Sequence, residues 1–331
     1  MNCFKTLALI LLAAPAGAGV IKFATMAPEG TDGMKVMEEI DKEVQQKTGG
    51  TLKFKFYAGG RQGDEKDVVR KIRAGQLHAG GFTGVGLGEI APPVRVVDGP
   101  WLFRDHAEVD LIYEKFAPDF EKALGEAGYV LLGWTEVGFI HVFSKAPVKD
   151  PEDMRKLKMW VWEGDPIAEA ALGALGVHPI PLSPVDVLTS LQTGLLDAVY
   201  TAPLYAIALQ WHEKTRFIHE AALANASGAV LISKKAFDGL PENERSVLLE
   251  VARRRLKGLN ELTRRGNDAA LEQLKKQGLK VVAATPEAAK AYQEAGRKAR
   301  RQLAGKMYPA ELLDRVEKTL EAARAAKGAK K

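Results

Sequence analysis

An α/β fold built as two lobes is what the sequence predicts, on three grounds. Short β-prone apolar segments alternate with amphipathic helical ones from Val20 to Tyr200, the order expected of strands covered by helices. The 331 residues exceed what one compact core holds, since single cores stop growing at roughly 250–300 residues. Apolar residues make up 46% and charged residues 27%, a globular composition able to fill both cores.

The elements follow in order. Lys5, an apolar run from Leu7 to Ala14 and Ala16-Gly17-Ala18 have the layout of a secretory signal peptide, so Met1 to Ala18 is expected to be removed. That run is well short of the roughly 20 residues a membrane-spanning helix needs. Cys3 is the only cysteine and precedes the run, so the mature chain is expected to rely on its hydrophobic core rather than on disulfides. Val20 to Ala24 reads as a first strand. Thr31 or Asp32 can cap a helix with Met34, Met37, Ile40 and Val44 on one face, stopped at Gly49-Gly50. Leu52, Phe54 and Phe56 alternate with Lys53 and Lys55 as a half-covered strand. Asp64 opens a helix bearing Val68, Val69 and Ile72, closed by Gly75, before a short strand from Ala79 to Phe82.

A helix from about His106 to Ala127, a strand pair across Val130 to Phe143 and a strand from Leu157 to Trp162 continue the rhythm. A helix around Asp165 to Leu175, a strand from His178 to Leu182, a helix from Val185 to Thr193 and a strand from Leu196 to Tyr200 complete it. After Pro241 a long helical tract runs to about Gln277, followed by a strand from Leu279 to Ala283 and helices over 286–303 and 309–326. No repeat or low-complexity linker interrupts the chain, so strands crossing between the lobes must join them.

Charge and motifs exclude several functions. The formal charge of +5 is spread over helices that mix Lys and Arg with Glu and Asp, and no stacking aromatics interleave the basic clusters around Arg254 and Arg300, which argues against nucleic acid. The six histidines are scattered, and His212-Glu213 lacks the second histidine of a metalloprotease helix, since Arg216 stands there. The glycine-rich segment from Gly80 to Gly88 follows a strand, but Glu89 occupies the place of the last glycine of a dinucleotide loop. It reads instead as a permissive loop where backbone bends or approaches a ligand. No nucleophile, base and oxyanion set can be assembled, which leaves a periplasmic hydrolase as a distant rival. No cofactor, metal site or catalytic residue is expected.

Five segments, in order, resemble the TRAP-type (tripartite ATP-independent periplasmic) solute-binding proteins of the DctP kind: Tyr57 to Glu65 with Ile72 to Leu77, Gly99 to Asp105, Pro147-Val148 with Pro151 to Met154 and Leu157 to Met159, Leu191 to Ala198, and Ile232 to Lys234 with Phe237-Asp238. The resemblance implies a two-lobed periplasmic binding protein fold (type II-like), with mixed sheets flanked by helices and a long helix spanning both lobes. Residues 19–139 plus 229–270 would form one lobe, and residues 140–228 plus 271–331 the other. It also implies a non-enzymatic receptor that closes on a small molecule and serves TRAP membrane subunits, in some systems with a periplasmic helical-repeat protein, as a monomer or dimer.

Typical members grip a ligand carboxylate with an arginine at the third position of a Lys-aliphatic-Arg strand motif, where this sequence reads Lys158-Met159-Trp160. Ile140, in Gly138-Phe139-Ile140-His141, fills the place of a second family arginine. Without these bidentate, charge-assisted bonds, burying a carboxylate costs several kcal/mol. The expected ligand is therefore apolar or amphipathic, a lipid-like molecule included. Trp160 and Trp162 share a strand face, and with Ile140, Phe82, Tyr200 and Tyr205 they are expected to wall the cleft. Thr83, Thr201, Glu163 and Arg61 are the expected polar contacts. Burying about 200 Å² of apolar ligand there would contribute roughly 5 kcal/mol. The alternative is a monocarboxylate or oxo acid held by a relocated cation such as Arg61.

Overall fold

The computed structural model describes residues 19–328, so the signal peptide expected over Met1 to Ala18 lies outside the described residues. Ten strands are described: β1 (Gly19–Thr25), β2 (Leu52–Tyr57), β3 (Ala79–Thr83), β4 (Tyr129–Ser144), β5 (Trp160–Trp162), β6 (Ile180–Leu182), β7 (Ala198–Thr201), β8 (Phe217–His219), β9 (Ala224–Ser233) and β10 (Lys280–Val282). They form a two-lobed periplasmic binding protein fold. In the first lobe the order is β2-β1-β3-β9-β4, with β1 parallel to β2 and β3 while β9 runs antiparallel to β3 and β4. In the second lobe β4 pairs with β7 and β8, β8 carries β10, and the parallel pair β5-β6 joins through a bridge from Met159 to Ala198.

The segment expected as a strand pair over Val130 to Phe143 is one 16-residue strand, β4, which crosses from lobe to lobe. Its partner is β9, a segment the periodicity did not mark because Ala224 to Ala229 is built of small residues with weak strand preference. Register shifts between Leu131 and Gly133 and between Glu136 and Gly138 bend the ladder at the crossing. Gly138 sits there at φ 106°, and a Cβ would run into the Asn267 side chain, which donates to Val137 O at 3.0 Å. Only glycine fits both conditions.

The 35-residue helix Glu242–Lys276 braces both lobes: Leu248, Val251, Leu256 and Leu259 enter a first-lobe core with Ile40 and Val44, whereas Leu274 enters a second-lobe core with Trp160 and Val199. The last helix, Ala310–Gly328, departs from the expected division of the chain. It buries Leu313, Val316 and Leu320 in the first-lobe core with Phe116 and Phe120 of helix His106–Glu126. Arg315 also clamps Asp119 at 2.8 and 3.0 Å. An apolar stripe must find an apolar partner, and the one available lies on the first lobe.

The glycine-rich segment is not a loop. It ends β3 and continues as a short helix, Gly84–Ile90, N-capped by the Thr83 hydroxyl. Its glycines provide room rather than unusual dihedrals: a Cβ on Gly84 would overlap the Asp98 carboxylate, and one on Gly86 would lie 2.7 Å from Glu65 Oε2.

Candidate functional site: the cavity between the lobes

Strand β5 contributes the centre of the site. Trp160 is 2% exposed, its indole N–H donates to Leu182 O at 2.9 Å, and its ring stacks on Tyr200 with centroids 4.8 Å apart. Trp162 lies on the same side, 6.4 Å from Trp160, and Trp211 meets Trp160 edge-on at 5.2 Å. Offset stacks and edge contacts of this kind hold aromatic walls rigid. They border a cavity of about 490 Å³ lined by both lobes. Ligand pockets span about 300–1,000 Å³.

Seven of the ten residues singled out in the sequence line this cavity: Trp160, Trp162, Ile140, Thr83, Tyr200, Thr201 and Tyr205. Three do not. Phe82 turns into the first-lobe core and borders a neighbouring cavity of about 410 Å³, because adjacent strand residues point to opposite faces. Arg61 lies on the surface paired with Glu29 at 3.0 Å, and Glu163 is exposed just past β5. Arg61 thus stands outside the cavity lining.

The cavity's cation is a residue that sequence reasoning missed. Arg95, 3% exposed, lies in the 3-10 helix Pro92–Asp98. Its Nε donates to Asp98 Oδ2 at 2.6 Å, and its Nη2 donates to Asp165 Oδ1 at 3.0 Å. Asp98 also accepts from Ser227 N at 2.7 Å and from the Ser227 hydroxyl at 2.9 Å. Burial raises the Asp98 pKa above the usual carboxylate range, and Arg95 and the Ser227 donors oppose that rise. Desolvation lowers the Arg95 pKa, but the two aspartates outweigh it and hold the guanidinium above its ordinary value. Among the described residues lining the cavity, Arg95, Asp98 and Asp165 are the only charged ones. The signal for them was legible: an Arg and an Asp three residues apart among Val94, Val96 and Val97.

A second buried carboxylate borders the neighbouring cavity. Glu65, 1% exposed, accepts from Thr83 N at 2.8 Å, the Thr83 hydroxyl at 3.0 Å and Gly86 N at 2.6 Å. Desolvation outweighs these donors and pushes its pKa up to about 7. With Glu65 ionised, the Thr83 hydroxyl proton is taken by that carboxylate.

Two polar contacts close the cleft. Asp64, on the first lobe, accepts from Trp162 Nε1 at 3.0 Å and Ser183 Oγ at 2.9 Å, both on the second. The Arg95–Asp165 pair likewise joins the lobes.

The profile of the bacterial extracellular solute-binding proteins, family 7 (DctP), matches residues 23–306. The chain belongs to this family. Its members are solute receptors and not enzymes, and the chain shares their two-lobed build. A solute-binding protein of Verminephrobacter eiseniae is 27% identical over 215 residues, 64% of this chain and 64% of that one. The 2,3-diketo-L-gulonate-binding periplasmic protein YiaO of Escherichia coli K12 is 26% identical over 241 residues, 72% of this chain and 73% of that protein. The TRAP periplasmic solute-binding protein of Citrobacter koseri, solved with bound D-glucuronate, superposes with a TM-score of 0.82 at 24% identity, covering 90% of this chain and 98% of that one. That last likeness speaks to the fold alone.

Proposed function

We propose that the chain is the periplasmic receptor of a TRAP-type transport system and that its cavity takes an apolar or amphipathic small molecule, a lipid-like one included. The leader expected over Met1 to Ala18 would export it, hinge closure about β4 and β9 would capture the ligand, and TRAP membrane subunits would receive it. One observation carries this reading: Trp160 stands at the position where the family resemblance puts a carboxylate-gripping arginine, and it forms an aromatic wall with Tyr200, Trp162 and Trp211. Such walls favour apolar surface at roughly 25 cal/mol per Å². The relatives that bind sugar acids set the contrasting ligand class.

Tryptophan emission tests the reading, since Trp160, Trp162 and Trp211 all border the cavity. Titration with decanol is expected to change the emission saturably, whereas D-glucuronate is expected to leave it unchanged. Tight D-glucuronate binding with no response to decanol would overturn it. A second reading, a monocarboxylate or oxo acid, is favoured by one observation only, the buried Arg95. It requires Asp165 to release that guanidinium.

A further inference from the structure

The charged corner of the cavity carries an inference that rests on the apolar-cavity reading above and sharpens it. Arg95 and Asp98 are built into the first lobe. A Cβ on Gly84 would overlap the Asp98 carboxylate and lie 2.9 Å from Arg95 Nε, and one on Gly88 would lie 3.2 Å from Arg95 Nη1. Asp98 Oδ2 takes Arg95 Nε at 2.6 Å and the Ser227 hydroxyl, while Oδ1 takes Ser227 N, and of these the guanidinium and the amide can only donate. These bonds favour the ionised carboxylate and work against the burial that raises its pKa. Asp98 alone therefore balances Arg95. Asp165 then reaches across from the second lobe, where it caps helix Pro166–Ala174 by accepting from Ile167 N at 3.2 Å, and takes the Arg95 Nη2. The protein thus supplies its own carboxylate to the cavity's guanidinium.

We propose that Asp165 is a specificity-determining residue, which excludes anionic ligands by occupying Arg95 and restricts the cavity to neutral or cationic apolar molecules. With Arg95 set against two carboxylates, the cavity wall carries one net negative charge. An anionic ligand reaching Arg95 must displace Asp165 and leave that carboxylate buried without its partner, a penalised arrangement. A neutral ligand displaces nothing. A cationic one gains from the excess charge and from the rings of Trp160 and Trp162.

The test uses three ligands with one ten-carbon chain, decanol, decanoate and decyltrimethylammonium, titrated calorimetrically into the wild-type protein and Asp165→Asn. Asparagine keeps the helix cap and removes the charge. Wild type is expected to bind decanoate at least about tenfold more weakly than decanol, and decyltrimethylammonium at least as tightly as decanol. Asp165→Asn is expected to improve decanoate about tenfold relative to decanol, and adding Arg95→Met should erase that gain. Decanol binding to Asp165→Asn reports that the cavity is intact, and the wild-type ratio needs no variant at all. Equal wild-type affinities for decanoate and decanol, or an unchanged ratio in Asp165→Asn, would overturn the proposal. Failure of all three ligands to bind wild type would overturn the apolar-cavity reading beneath it, and the proposal with it.

Discussion

Removing the Asp64 carboxylate should open the protein. Asp64 has two jobs: its side chain caps helix Glu65–Arg73 in a reciprocal box with Asp67, and it receives the Trp162 indole and the Ser183 hydroxyl from the opposite lobe. Asp64→Ala loses both, while Ser183→Ala and Trp162→Phe each remove one cross-lobe donor and spare the cap. The cap contributes about 1 kcal/mol to stability. Hydrogen bonds to a charged group contribute about 1.5–3 kcal/mol each when well formed, and the lower figure suits Asp64 because it is only half-buried. Two such bonds give about 3 kcal/mol of closure, which corresponds to roughly a hundredfold change in the closed-to-open ratio. Small-angle scattering without ligand should then show a larger radius of gyration for Asp64→Ala, with Ser183→Ala intermediate. Ligand affinity should fall in the same order, because a ligand that binds the closed form must also restore closure. Scattering curves and affinities indistinguishable from wild type, alongside the expected loss of about 1 kcal/mol from the cap, would show that Asp64 only starts a helix and that the lobes close for other reasons.

Two further predictions concern stability. Glu65 has its pKa raised from 4.5 to about 7 by burial, so between those pH values the folded chain holds a proton that the unfolded chain has released. Stability should therefore fall as pH rises through that window, by up to about 3 kcal/mol, and level off above it. Subtracting the Glu65→Gln denaturation series from the wild-type series should isolate this slope, and a flat difference between pH 4.5 and 7 would refute it. Gly84→Ala gains up to about 1 kcal/mol of helix propensity but drives a methyl into Asp98, which Ser227 and Arg95 hold in place. Overpacking of this kind costs about 1–3 kcal/mol, so urea midpoints should show a net loss, and an unchanged or raised midpoint would mean that the charged corner yields.

Much of this architecture was legible because it rests on periodicity. Leu52 and Phe54 are buried while Lys53 and Lys55 are exposed, and Met34, Met37, Ile40 and Val44 fill one helix face as their spacing required. The crossing strand β9 was illegible for the converse reason. Its first half, Ala224 to Ala229, is held by the ladder it joins and not by its own preference. The same geometry explains the uneven outcome at the cavity. Trp160 and Trp162, two apart on β5, share a face, and that alternation could have warned that Glu163 would point elsewhere and that Phe82 and Thr83 would part company. Arg61 was attractive for its position after the Gly59-Gly60 turn, but the side chain pairs outward with Glu29. Arg95 and Asp98 sit three residues apart in an apolar run, a signal that was passed over, whereas Asp165, which completes the Arg95 pairing, and Ser227, which holds Asp98, come from distant parts of the chain, and only the fold brings them together.

Crystals of protein purified from the periplasm without refolding would examine the central claim most directly, because a tightly held apolar molecule survives such handling. The expected result is density for an uncharged or cationic apolar molecule against Trp160 and Tyr200, with Asp165 still on Arg95. A sugar acid or other carboxylate seated on the Arg95 guanidinium, with Asp165 turned away, would contradict it.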